Sequence, residues 1–148
     1  MIVMIKKIDF GKTKLEDLHQ VFKYTFSGEL DGKRSRLFPN GNTDNEVATT
    51  SIFLSALRAV KEYREELLLE IGVKKIKNQN VCLHTFTELE NATKDERPDG
   101  LIVVTSGKLN PIIEWACFVE AKVGNNLLDE GQVDRYATFA REVGINNI

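Results

Sequence analysis

Apolar residues recur along this chain with two different periods, and the switches between them mark out its elements. Positions 2–10 are apolar, with lysines at 6 and 7, and read as a short strand. Leu15, Leu18, Val21, Phe22 and Phe26 fall at helical spacing and predict an amphipathic helix over 14–26. The stretch SGELDGKRSRLFPNGNTDN that follows is rich in Gly, Asn and charge and reads as a long loop. Val47, Phe53, Leu54, Leu57, Val60, Leu67 and Leu68 then recur at steps of three and four, predicting one long helix over 44–71. Thr43 and Glu46 fit a capping box at its start, and Gly72 stands where a helix stop is expected.

Beyond the basic turn VKKIKNQN the period shortens. Residues 81–89 alternate, with Val81, Leu83, Thr85, Thr87 and Leu89 on one face and Cys82, His84 and Phe86 on the other. Apolar, β-branched runs at 101–105 and 112–123 flank the turn-forming cluster SGKLNP, which predicts a hairpin. Leu128, Val133, Tyr136, Ala137, Ala140 and Val143 return to helical spacing over 127–143, with Gly144 behind them. The order is helix, three strands, helix, with a strand and helix in front, and the expected class is α/β.

Composition narrows the field. The 148 residues carry 20 Lys plus Arg against 22 Asp plus Glu, a net charge of −2 that excludes a strongly basic nucleic-acid wrapper and an acidic tail. A 42% hydrophobic and 28% charged chain has the balance of one globular domain, expected to span 1–148. No apolar run approaches the roughly 18 residues of a membrane span, and the opening MIVMIKKIDF lacks the pattern of a signal peptide. A cytoplasmic location is expected. Cys82 and Cys117 both lie in apolar runs and are expected to be buried, reduced thiols.

The residues that carry chemistry cluster around the hairpin. Glu120 and Lys122 point to one face of their strand while Val119 and Ala121 point to the other. Two charges on an otherwise apolar strand are costly if buried without partners. If the hairpin forms, Asp99, at the start of its first strand, comes beside Glu120 near the end of the second. Two carboxylates and an ammonium in so small a space suit a hard divalent cation. Such an ion takes oxygen ligands and water, while the lysine holds a phosphate or steadies an attacking water.

Pro98-Asp99 followed by Glu120-Ala121-Lys122 resembles the PD-(D/E)XK, or restriction endonuclease-like, nuclease superfamily. Gln132 and Tyr136 resemble the Gln-x-x-x-Tyr signature of RecB-like members, four residues apart on one helix face. Glu46 resembles the glutamate that many members contribute from their first core helix. The likeness spans about 44–143 and implies a Mg²⁺-dependent deoxyribonuclease of restriction or repair type, with Mn²⁺ as a substitute ion. By resemblance, Asp99, Glu120 and Glu46, with the Ala121 carbonyl, hold metal. Lys122 then positions or activates the water, and Gln132 and Tyr136 orient the site or contact nucleic acid. Members usually continue with another strand after that last helix, so the resemblance implies that further C-terminal sequence follows. DNA is the expected partner, with RNA and a homodimer left open. The alternative is a nuclease-fold module that binds nucleic acid or protein without catalysis.

Other residues have plainer readings. Glu46 also fits a capping box that needs no metal, and Asp99-Gly100 also fits a turn. His19 and His84 lack partners at ligand spacing. Lys33, Arg34 and Arg36, with Lys74, Lys75 and Lys77, form basic patches that suit either solvent or a phosphate backbone.

Overall fold

A computed structural model of the chain describes residues 6–36, 45–73, 80–89, 98–122 and 129–145, with side chains at 45–47 left aside. Its centre is an antiparallel meander of β1 (Val81–Thr87), β2 (Gly100–Ser106) and β3 (Ile112–Val119), in the order β1-β2-β3. β2 is buried through Thr105 on both faces, as a central strand covered on each side must be. The continuous apolar run of its sequence therefore resolves into two apolar faces. Leu101 and Val103 enter one core cluster, and Ile102 and Val104 enter the other.

The second of these clusters lies under α3 (Asn45–Ala59) and α4 (Lys61–Glu70), where Leu54, Leu57 and Leu68 meet Leu83, Ile102, Val104 and Cys117. The single helix expected over 44–71 is broken at Val60, whose φ of −102° and ψ of 103° are extended. No Gly or Pro marks the break. The Arg64 guanidinium caps it by donating to the Arg58 carbonyl at 2.7 Å, and the Phe53 and Tyr63 rings meet edge to face across it. The bend brings Leu68 and Val73 into the same cluster as Leu54 and Leu57, which an unbroken rod of this length would not do. α4 then ends as expected at Gly72, with φ +96°. Val73 N–H donates to Leu68 O at 2.8 Å and Gly72 N–H to Leu69 O at 3.1 Å, a Schellman stop.

The opposite face of the sheet carries α5 (Glu130–Val143) and two short N-terminal helices, α1 (Leu18–Val21) and α2 (Ser27–Asp31). Phe118 of β3 stacks on Phe139 of α5 at 5.2 Å between centroids, and Phe22 meets both rings edge-on. The helix expected over 14–26 is thus a 3-10 turn (Leu15–Asp17) and α1, stopped by Lys23 at φ 65°. No strand forms within residues 6–10 of the stretch expected at 2–10. Ile8 instead donates its N–H to Val143 O at 2.8 Å, at the end of α5. Part of the expected loop folds as α2. Beyond it Ser35 N–H donates to Thr85 O, and Thr87 N–H to Lys33 O, so this segment lies along the edge of β1.

Three further expectations at strand ends are corrected. β1 stops at Thr87, because Glu88 adopts φ 53° and ends the alternation. Leu89 consequently joins Phe86 in the first core cluster rather than Leu83 in the second. β3 ends at Val119 rather than running to 123, and Cys82 is exposed. Cys117 is buried as expected, and burial pushes its thiol up to about 12.

No helix is long and apolar enough to cross a membrane among the described residues.

Candidate functional site

The site is assembled where β2 begins and β3 ends. Antiparallel pairing runs regularly from Val104–Trp115 to Gly100–Val119. Continued one residue further, it sets Asp99 across from Glu120. That register depends on a bulge near the turn, where the pairs Thr105–Ile113 and Val104–Trp115 leave Glu114 as an extra residue. Without it Asp99 would lie opposite Val119, and the facing residues at the site would change. Ser106 Oγ donates to Glu114 Oε1 at 2.7 Å and holds the bulge.

Past the paired region, Asp99 Oδ2 accepts a hydrogen bond from the Ala121 N–H at 2.9 Å. The aspartate therefore ties down the backbone between Glu120 and Lys122. Glu120 continues the alternation that puts Phe118 toward α5, so its carboxylate points at that helix. There Oε1 accepts from Gln132 Nε2 at 3.3 Å and pairs with Lys122 Nζ at 3.0 Å. Gln132 Nε2 also donates to Tyr136 OH at 3.1 Å, one turn along the helix. Tyr136 is buried, and the Asp129 N-cap accepts from Gly131 N–H to fix the helix start just before Gln132.

Only 9% of the Glu120 side chain is exposed, and its Oε2 is buried with no hydrogen-bond partner among the described residues. An acceptor oxygen of a carboxylate left in that state costs free energy unless something further occupies it.

Gly100 explains how α3 can lie so close to this corner. A Cβ there would meet Leu54 Cδ1 at 2.6 Å and Thr50 Cγ2 at 3.4 Å. Glu46 lies one turn before Thr50 near the start of α3, and its side chain is outside the described residues. Asp99, Glu120, Ala121, Lys122, Gln132 and Tyr136 thus form one connected set. Among the described residues no three of His, Cys, Asp and Glu gather as a metal cluster. Thr43, the lysines at 74, 75 and 77, and the helix residues expected at 127–128 also lie outside the described residues.

His84 stands apart from this set. Its Nε2 meets Thr105 Oγ1 at 3.1 Å and its Nδ1 meets Arg34 at 3.3 Å. Burial first, and then the cations Arg34 and Arg58, lower its pKa to about 4. Arg34 is fully engaged as well, pairing with Asp31 at 3.2 Å and lying 5.0 Å over the Phe86 ring. It is a strut of the β1 edge more than a free phosphate contact. The sequence reading missed the bulge at Glu114, for which only the polar residue within an apolar run was a signal.

Family models, curated proteins and solved structures were each compared with the chain, and none matches it.

Proposed function

We propose that this chain is a Mg²⁺-dependent nuclease domain of the restriction endonuclease-like kind, hydrolysing phosphodiester bonds in DNA. The carrying observation is the buried Glu120 carboxylate, with one oxygen held by Lys122 and Gln132 and the other without a hydrogen-bond partner among the described residues. A hard cation bound by oxygen ligands would use that free oxygen, and Asp99 across the hairpin supplies a second carboxylate. The donor set fits such an ion, with Glu46 and the Ala121 carbonyl as further candidate ligands. A helix, a three-stranded meander and a helix on the opposite face also support the reading, being the arrangement its sequence resemblance implies.

Bound there, the ion would neutralise charge on the phosphate and leaving oxygen. The remaining work falls to the chain. Lys122, with 22% of its side chain exposed, lies at the mouth of the site and can orient a water or hold a nonbridging phosphate oxygen. Gln132 fixes the rotamer of Glu120, and Tyr136 fixes Gln132 through its hydroxyl. Asp99 holds the Ala121 amide, so both sides of Glu120 are restrained.

Mn²⁺ binding followed by electron paramagnetic resonance tests this without recourse to activity. Wild type is expected to bind, and Glu120→Gln and Asp99→Asn to bind at least tenfold more weakly. Equal binding by a folded Glu120→Gln would overturn the assignment.

A further inference from the structure

One cavity of the molecule is separate from this site. A cavity of about 480 Å³ opens beside the C-terminal half of α5, lined by Lys6, Lys7, Lys23 and Arg141 together with Phe22, Phe139 and Val143. Its volume is that of a small-ligand pocket. The apolar wall comes from core residues that are nearly covered, and the four cations are exposed at its edge. Glu142 is the one acid in the lining among the described residues. None of the four cations takes part in an ion pair among the described residues, so their charge is not already neutralised by the protein. The chain as a whole is slightly acidic, which makes this concentration of positive charge a local feature rather than a reflection of composition.

A second observation comes from the backbone. Lys23 adopts φ 65° at the stop of α1, with its N–H on Gln20 O and that of Tyr24 on His19 O. Glycine is the residue favoured in that left-handed conformation, and a lysine there is strained. The side chain that this conformation presents is a cation at the cavity edge. The cavity and the site share one helix: Gln132 stands near the start of α5, and Phe139, Arg141 and Val143 stand toward its end, with Phe139 and Val143 turned into the core. From Gln132 to Arg141 the helix rises by about 13 Å.

We infer that this cavity binds the phosphodiester backbone of a single nucleic-acid strand running along α5 away from the site. Phosphates would sit among Lys6, Lys7, Lys23 and Arg141, and a sugar or base would lie against the apolar wall. The choice of strand rests on the nuclease reading, whereas the cationic, apolar-walled cavity does not.

The test is fluorescence anisotropy of a labelled fifteen-nucleotide oligothymidylate with the whole chain, in EDTA so that no metal and no cleavage enter. In the relation between affinity and salt, each phosphate contact to a single strand contributes a log–log slope of about 0.7, so each is worth about fivefold at 0.1 M salt. Lys23→Gly is expected to weaken binding about fivefold while leaving thermal stability equal or higher, because glycine relieves the backbone. Lys7→Gln with Arg141→Gln is expected to weaken it about twenty-five-fold and to reduce the salt slope by about 1.4. Unchanged affinity and slope in the double variant, or no binding by wild type at 0.05 M salt, would overturn the inference. Failure of the nuclease reading has a different signature: loss of the Mn²⁺ result with oligothymidylate binding still sensitive to these cations.

Discussion

Gly144 and Gly72 both end helices in Schellman stops with positive φ, +88° and +96°, yet their surroundings differ sharply. A Cβ at Gly72 would meet nothing within 4 Å, whereas one at Gly144 would meet Ile8 O at 2.5 Å and Ile8 N at 2.9 Å. The neighbour at Gly144 is backbone, held by the bond from Ile8 N–H to Val143 O at 2.8 Å, and has no rotamer to change. Gly72→Ala therefore suffers the left-handed penalty alone, roughly 1 kcal/mol. Gly144→Ala adds an overpacking cost of about 2 kcal/mol, for a total of roughly 3 kcal/mol. At about 4 °C per kcal/mol for a chain of this size, the midpoints should fall by about 4 °C and about 12 °C. Urea unfolding followed by circular dichroism gives the free energies, and calorimetry the midpoints. The same loss in both variants, within about 0.5 kcal/mol, would refute the close approach of the Ile8 backbone to α5. That approach matters for the site because it anchors the far end of the helix that presents Gln132 and Tyr136.

Two other expectations follow from single side chains. His84 has its pKa lowered to about 4 in the fold, against about 6.5 when unfolded, so between those values the unfolded chain binds the extra proton. Stability should therefore be unaffected by His84 above pH 6.5 and fall as pH drops toward 4. The slope approaches about 1.4 kcal/mol per pH unit, and His84→Gln should flatten it in urea titrations across that window; an unchanged slope would show that His84 is not the group responsible. Tyr136→Phe keeps the ring and removes the hydroxyl that accepts from Gln132, so stability should fall by about 1 kcal/mol. If the hydroxyl also positions Glu120 through Gln132, Mn²⁺ affinity should weaken severalfold, and an unchanged affinity would leave Tyr136 a packing residue only.

Much of the fold was legible because its strands and last helix are set by local pattern. The run at 101–105 lies within β2, the run at 112–123 contains β3, and Gly144 ends α5 where the period stops. The break at Val60 was not legible. Nothing in the residues there disfavours a helix strongly, and the bend is driven by the need of Leu68 and Val73 to reach the cluster of Leu54 and Leu57. Lys23 misled in the same way, since a lysine in the left-handed region leaves no glycine to signal the stop. Cys82 sits in an apolar run but near the start of the edge strand β1, where it is exposed. At the site the strand ends at Val119, so Glu120 and Lys122 meet through their 3.0 Å ion pair just beyond it, and continued pairing sets Asp99 across from Glu120. The identity of the residue facing Asp99 depends on the bulge at Glu114, which a count from the turn would have missed by one. The hydrogen bonds from Gln132 to Glu120 and Tyr136 give physical content to two residues that spacing alone only placed on one helix face.

Cleavage of supercoiled, linear and branched DNA in Mg²⁺ and in Mn²⁺, with Glu120→Gln and Lys122→Ala beside wild type, tests the central proposal most directly. The account predicts cleavage by wild type that is abolished by EDTA and reduced at least a hundredfold in both variants, with their circular dichroism spectra unchanged. Cleavage that persists in EDTA, or that a folded Glu120→Gln performs as well as wild type, would contradict it.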